Sequence, residues 1–221
     1  MDAQALALSL KLAVGTAVLL LPLAVVVGRV LAWRRFAGKP AVEALLALPL
    51  VLPPTVLGYY LLVTFAPTST LGALYQSLVG TTLAFSFEGL LVASVIANIP
   101  FAVQPVQRGF ESIATEVREA AWLCGMSNWR AFWRVELPLA WPGLLTAFVL
   151  TFAHTLGEFG VVLMVGGNIP GETRTVAIAI YDRAQALDDH AAGVMAATLL
   201  ALSFAAIGVV YWLDRARRHR G

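Results

Sequence analysis

Charged residues are scarce in this sequence, since Asp, Glu, Lys and Arg together make up 13% of its 221 residues. Soluble domains contain about 25% charged residues, which supply much of their polar surface. Hydrophobic residues account for 59% of the chain, and the mean hydropathy is +0.80. This composition excludes an ordinary soluble domain and indicates a protein that lies in a membrane.

Cysteine is represented once, by Cys124, which excludes an internal disulfide and argues against a metal cluster. The sequence also lacks the G-x-x-x-x-G-K-[ST] phosphate loop, the H-E-x-x-H metal pair and the G-x-S-x-G elbow. We therefore predict no catalytic residue, no metal site and no cofactor. An alternative is an intramembrane hydrolase that pairs His154 with Ser94 or Ser203. It is the weaker hypothesis, because hydroxyls in membrane helices usually bond to backbone or neighbouring helices.

Five long apolar runs are present, each close to the 20 or so residues that a helix needs to cross the hydrocarbon core. The first run is too long for a signal peptide and lacks a basic start and a small-residue cleavage site. We predict an all-α integral membrane protein in which residues 1–221 form a single transmembrane domain of about five helices. The predicted spans are Leu12 to Trp33, Val42 to Phe65, Leu83 to Val103, Leu139 to Val165 and Ala191 to Leu213.

Basic residues are distributed unevenly around these spans, and Lys and Arg accumulate on the cytoplasmic side of membrane proteins. Three of them, Lys11, Arg174 and Arg183, fall on the opposite side. The N-terminus is therefore predicted outside and the C-terminus inside, and the basic tail is interpreted as an anchor near anionic lipid, with no nucleic acid partner. The predicted cytoplasmic residues are Arg29, Arg34, Arg35, Lys39, Arg108, Arg118, Arg130, Arg134, Arg215, Arg217, Arg218 and Arg220.

A polar, helix-forming segment at residues 115–138 interrupts the apolar sequence. Thr115 can cap a first short helix, and Gly125 suits a left-handed stop after it. Ser127 can cap a second short helix, which we predict to end before Pro138. A helix, a tight turn and a second helix on the cytoplasmic side offer a surface on which a partner protein can dock.

The spacing within this segment resembles the EAA signature of the membrane subunits of bacterial ABC importers. The signature consists of an E-A-A triplet, a glycine after three residues and, after nine more, an aliphatic residue, any residue and L-P; Val135 replaces the usual isoleucine. The resemblance implies a type I ABC importer permease fold and a coupling helix, within residues 105–138, that sits in a groove of the ATPase subunit. The alternative is an amphipathic loop without a partner. The implied coupling residues are Glu119, Ala120, Ala121, Gly125, Leu137 and Pro138.

The second predicted span contains three prolines, at positions 49, 53 and 54, which disrupt backbone hydrogen bonds at membrane depth. Such a break is tolerated where protein or a water-filled cavity meets the freed groups, and broken helices line the route in many transporters. Hydroxyls lie beside the break. We predict that Pro53, Pro54, Thr55 and Tyr59 line a translocation pathway, the alternative being a kink without ligand contact.

The fourth predicted span ends in His154-Thr155-Leu156-Gly157-Glu158, which places His154 and Glu158 one helical turn apart on the same face. Ionisable residues in a membrane helix are costly and usually face a bundle interior or an aqueous cavity. We predict a pathway or gate role for both residues. A structural pair that ties helices together is the alternative.

A turn-rich outer loop, residues 166–190, follows the fourth span and contains the stretch NIPGETRT before a short amphipathic helix through Ala186. This stretch, LPLVLPPTVLGYYLL and LGEFG are together similar to the membrane subunit of molybdate importers. Sulfate and thiosulfate permeases, which share the EAA region and a GEFG-like stretch, remain the alternative. A passive anion channel is the alternative from another class, and nothing in the chain separates molybdate from tungstate.

The resemblance to molybdate importers also implies the partners and the location. They are a second copy of the chain, two cytoplasmic ATPase subunits that bind ATP, and a periplasmic molybdate-binding protein, all at the bacterial cytoplasmic (inner) membrane. The oxyanion itself is the substrate, and lipid surrounds the spans. The implied contacts for the binding protein are Asn168, Pro170, Gly171, Glu172 and Arg174.

Overall fold

The computed structural model describes the backbone of residues 2–218 and the side chains of residues 2–209, and every regular element in that part of the chain is a helix. The side chains of the basic tail, residues 215–220, lie outside the described residues. In chain order the helices are α1 (Ala3–Trp33), α2 (Lys39–Val51), α3 (Pro54–Phe65), α4 (Thr70–Val79), α5 (Phe87–Glu111), α6 (Thr115–Leu123), α7 (Asn128–Leu139), α8 (Trp141–Gly157), α9 (Gly160–Gly166), α10 (Val176–Gln185) and α11 (Asp189–Arg218).

Three helices are long and apolar enough to cross a membrane unaided: α1, α5 and the described part of α11. Two further candidates are bent pairs, in which α2 and α3 meet at 107° and α7 and α8 meet at 65°. Counting each bent pair as one span gives up to five spans, in the order that the sequence predicts. The prediction of an all-α membrane protein with about five spans is confirmed.

The centre of the bundle is formed by α1, α5 and α8, whose buried faces carry mostly small and aliphatic side chains. Gly143 of α8 lies directly on α5, because a Cβ on Gly143 would be 2.5 Å from the Pro105 carbonyl oxygen and 3.0 Å from the Gly109 Cα. Small residues of this kind let membrane helices approach closely. By contrast, α2 buries no residue, and in the most apolar stretch of 18 residues in α11 6% of the residues are buried. Both helices therefore lie at the periphery of the bundle.

Several boundaries differ from the sequence prediction. Helix α6 begins at Thr115 itself and the extended residue before it is Ala114, so the prediction that Thr115 caps this helix is wrong. Helix α5 runs to Glu111, past the predicted end of the span at Val103, because an apolar run marks the hydrocarbon core while polar residues continue the helix beyond it. Ser127 does cap α7, since its Oγ accepts the Arg130 N–H at 3.3 Å.

A further difference is that α7 continues to Leu139 instead of ending before Pro138. A π turn at Phe132–Glu136 widens the helix, and the Leu137 N–H donates to the Phe132 carbonyl, five residues back. Pro138 then falls at the start of the next helical turn, where its missing N–H is not needed. Helix α4, capped by the Ser69 hydroxyl, was not predicted from the sequence.

Candidate functional site

The predicted coupling residues lie on and beside α6, and most of them are exposed. Glu119, Ala120 and Gly125 face solvent, and the side chain of Leu123 is 89% exposed. Ala121 is buried against the rest of the chain, so it anchors the helix instead of facing a partner. We name the exposed part of residues 119–125 the docking surface. Of the remaining two coupling residues, Leu137 is half-buried and Pro138 is exposed.

Gly125 ends α6 in the left-handed conformation that the sequence predicts, with φ of +76°. Its N–H donates to the Trp122 carbonyl at 2.9 Å, and the Met126 N–H donates to the Ala121 carbonyl at 3.1 Å. These two bonds close the C-terminal end of the helix. The turn depends on glycine because side chains disfavour this backbone conformation.

The proline break between α2 and α3 lies against α9. A Cβ on Gly160, the first residue of α9, would be 2.7 Å from the Pro54 Cβ and 3.2 Å from the Thr55 nitrogen. One turn further along α3, a Cβ on Gly58 would be 2.8 Å from the Met164 Cβ. The structure therefore brings the LPPT and GEFG stretches together, and two glycines allow the close contact.

The side of this break that does not pack on α9 is exposed. Pro53, Pro54 and Thr55 are exposed, and Tyr59 is 54% exposed, with its ring 5.9 Å from that of Tyr60. These four predicted pathway residues therefore lie on one accessible segment at the start of α3.

His154 is fastened to α5 by contacts that the sequence did not predict. Its Nδ1 lies 3.1 Å from the Oδ1 of the fully buried Asn98, and its ring stacks on Phe101 with centroids 4.0 Å apart. Its Nε2 lies 3.7 Å from a Glu158 carboxylate oxygen. The two ring nitrogens thus face an amide and a carboxylate instead of the Ser94 or Ser203 hydroxyl, which argues against the hydrolase alternative.

Glu158 stabilises the junction between α8 and α9. Its side chain is buried, and its Oε1 accepts the Val161 N–H at 3.1 Å, which satisfies a free donor in the first turn of α9. The chain is extended at Glu158, where α8 has ended. The contacts of Glu158 therefore fit the structural alternative, while His154, whose side chain is 34% exposed, keeps a partly open face.

The outer loop is folded around polar contacts. Arg174 donates through Nε to the Asn168 Oδ1 at 2.6 Å, and the Asn168 Nδ2 donates to Asp182 of α10 at 2.7 Å. Inside the loop the buried Thr173 hydroxyl donates to the Gly166 carbonyl at 2.6 Å. Pro170, Gly171 and Glu172 remain exposed at the tip. Three of the five predicted contact residues therefore form an exposed tip, and the other two, Asn168 and Arg174, form the hydrogen-bonded base of the loop.

The structure is a bundle of apolar helices in which two of the candidate spans are broken. A polar helical arm and a folded polar loop lie at opposite ends of the α8–α9 segment. This is the architecture of a multi-pass membrane transport subunit. The chain matches the family described as binding-protein-dependent transport system inner membrane component over residues 21–219. It belongs to this family. The prediction of a membrane-embedded permease of the ABC importer class, located in the inner membrane, is confirmed at that level.

Several relatives align over most of their length. The molybdenum transport system permease protein ModB of Azotobacter vinelandii is 49% identical over 214 residues, covering 95% of this chain and 93% of the relative. The ModB protein of Escherichia coli (strain K12) is 35% identical over 218 residues, covering 98% and 95%. A probable sulfate transport system permease protein cysT of Chlorokybus atmophyticus is 34% identical, covering 81% of this chain and 62% of the relative.

The fold is also found in solved structures. A chain of a bacterial ABC transporter involved in the import of the acidic polysaccharide alginate superposes with a TM-score of 0.72 at 15% identity, covering 98% of this chain and 78% of that chain. A chain from the alginate transporter in complex with a pentasaccharide-bound periplasmic protein gives 0.71 at 17% identity, with the same coverage. At this identity the similarity concerns the fold alone, and it agrees with an importer permease fold.

Proposed function

We propose that this chain is the membrane subunit of an ATP-driven importer that carries molybdate across the bacterial inner membrane. The observation that carries the proposal is the 49% identity, over nearly the full length of both chains, to a permease named for molybdenum transport. The sulfate permease is less similar and is matched over 62% of its length. The NIPGETRT loop supports the same choice.

The docking surface is the proposed contact for a cytoplasmic ATPase subunit, one for each copy of the chain. Leu123 and Trp122 are exposed on a helix that also carries Glu119, and exposed apolar side chains next to polar ones are typical of protein interfaces. This assignment places the N-terminus outside and α6 in the cytoplasm. ATP binding and hydrolysis then take place entirely on the partner.

A second copy of the chain is proposed to complete the pathway. Five spans enclose a route poorly by themselves, and α2 exposes Leu45 and Leu48 while burying no residue. Between two copies, Thr55 and Tyr59 would offer hydroxyl donors, and the first turn of α3 the positive end of its helix dipole, to an anion. His154 contacts Glu158, which holds the adjacent junction between α8 and α9 in place.

The outer loop is the proposed contact for a periplasmic oxyanion-binding protein. Its exposed tip, Pro170 to Glu172, stands on the Asn168–Arg174–Asp182 contacts, so a docked protein would meet a defined surface. The route itself offers hydroxyl and amide groups but little positive charge to a dianion. Selection of the anion therefore belongs mainly to the binding protein.

Reconstitution tests this function. Proteoliposomes that contain the chain and its ATPase are expected to accumulate molybdate only when ATP and the binding protein are both supplied, with tungstate competing and sulfate competing weakly. Uptake without ATP would favour the passive channel. Preferential uptake of sulfate would favour the sulfate importer.

A further inference from the structure

A glutamate in α7, near the end of the polar segment 115–138, is almost completely buried. Glu136 is 1% exposed, and its two carboxylate oxygens contact two different arginines. Oε2 accepts from the Arg29 Nε at 2.7 Å, and Oε1 accepts from the Arg118 Nε at 3.4 Å. A buried carboxylate needs such partners, because burial of an unpaired charge is strongly unfavourable.

The two arginines come from helices that are distant in sequence. Arg29 belongs to the first membrane helix, whereas Arg118 belongs to α6, which carries the docking surface. The Arg118 guanidinium also lies 3.6 Å from the centre of the Trp33 ring at the end of α1. Trp33 in turn packs edge-on against the buried Phe110 of α5 at 5.2 Å. A continuous set of contacts therefore connects α6 with α1 and α5.

Helix α6 has few other means of keeping its position. It contains nine residues, and Ala121 is the one buried residue in the helix. A helix of this length is marginally stable without packing. Arg118, with a side chain that is 16% exposed, is its most deeply placed charged group. The orientation of α6 therefore depends heavily on the contact between Arg118 and Glu136.

The π turn at Phe132–Glu136 is part of this arrangement. It adds one residue to a helical turn and ends at Glu136, whose side chain points into the protein. Such turns occur frequently at functional sites. The burial of Glu136 could not be predicted, because a glutamate between Val135 and Leu137 in a polar segment resembles a solvent-exposed residue.

We infer that Glu136 is a positioning residue that fastens α6, which carries the docking surface, to the first membrane helix, α1. Movement imposed on α6 is then transmitted to α1 and α5. This inference deepens the proposed function and rests on the docking of an ATPase at α6. Without Glu136, the two guanidinium groups would lose the carboxylate that they share, and the stacking of Arg118 on Trp33 would hold α6 to α1 less firmly.

The test combines two measurements on full-length protein. The first is the mobility of a spin label on Cys124, the sole cysteine, at the end of α6, in the purified permease without its ATPase. The second is the number of molybdate ions imported per ATP hydrolysed by the reconstituted complex. Glu136→Gln keeps the shape of the side chain and removes its charge. Glu88→Gln, at an exposed glutamate in the first turn of α5, is the matched control.

Glu136→Gln is expected to make the label more mobile and to lower import per ATP about fivefold or more, the size of a typical coupling between sites. Arg118→Gln should do the same, and Glu88→Gln should change neither quantity. A residue needed for folding alone would reduce the amount of complex and leave import per ATP unchanged. If Glu136→Gln does not accumulate, Arg118→Gln decides the question.

Wild-type mobility together with wild-type import per ATP in Glu136→Gln would overturn the inference. If the wild-type permease binds no ATPase subunit, the proposed function fails instead. The mobility of the spin label then tests by itself whether Glu136 fastens α6 to α1. Increased mobility in Glu136→Gln would support it, and unchanged mobility would reject it. The two failures are therefore distinguishable.

Discussion

Gly160 lies so close to Pro54 that a Cβ on the glycine would be 2.7 Å from the Cβ of the proline. The contact joins the broken helix pair α2–α3 to the junction between α8 and α9. Both breaks free backbone groups, and under the proposed function their meeting point is where polar groups would reach a substrate. This part of the molecule gives the most direct tests of the pathway.

Gly160→Ala is expected to lower import strongly, because the added methyl group must displace Pro54 or Thr55 backbone atoms. Overpacking of this kind costs about 1–3 kcal/mol. The control is Gly157→Ala, three residues earlier, where an added Cβ meets no atom within 4 Å. Transport rates normalised to the amount of complex compare the two variants. Equal rates in both would show that the contact does not matter for transport.

Thr55→Val should reduce molybdate import without reducing the amount of protein in the membrane, since it removes a hydroxyl from the exposed start of α3. Thr64→Val is the matched control on the same helix, where the hydroxyl bonds to the Tyr60 carbonyl at 2.7 Å. Initial uptake rates in proteoliposomes provide the measurement. A wild-type rate for Thr55→Val would favour a kink without ligand contact.

Gly125→Val is expected to uncouple ATP hydrolysis from import while the chain still inserts into the membrane. A side chain at this left-handed position costs about 1–2 kcal/mol through backbone strain, and no neighbouring atom lies within 4 Å of the added Cβ. Gly125→Asn should be close to wild type, because asparagine tolerates this conformation. Import per ATP is the readout, and identical values for the two variants would reject backbone strain as the cause.

Arg174→Gln should weaken the stimulation of ATPase activity by the binding protein, because the outer loop loses its contact with Asn168 and its proximity to Asp182. The control is Arg183→Gln, which removes an exposed ion pair with Asp188. Exposed pairs of this kind contribute about 0–1 kcal/mol. If both variants respond to the binding protein as the wild type does, the loop is not its contact.

Sequence patterns predicted the elements that depend on local chemistry. The five apolar runs gave the spans, Gly125 gave the left-handed stop, and Ser127 gave the cap of α7. The prolines marked the break after α2 correctly. These features are visible because each is determined by residues that are near neighbours in the chain.

Contacts between distant residues were not predictable in the same way. The partners of His154 and Glu136 are Asn98 and Arg29, which lie 56 and 107 residues away in the sequence. The π turn escaped prediction because proline at position 138 suggests a helix end, whereas the wider turn accommodates it. The pathway and docking roles of individual residues remain predictions, since their partners are other molecules.

Accessibility of Cys124 tests the central claim most directly, because this exposed residue is the sole cysteine and follows α6 immediately. A membrane-impermeant maleimide is applied to intact spheroplasts and to inverted membrane vesicles, with and without the ATPase subunit. The account predicts labelling in inverted vesicles alone, and protection when the ATPase is bound. Labelling of Cys124 from the periplasmic side would contradict it.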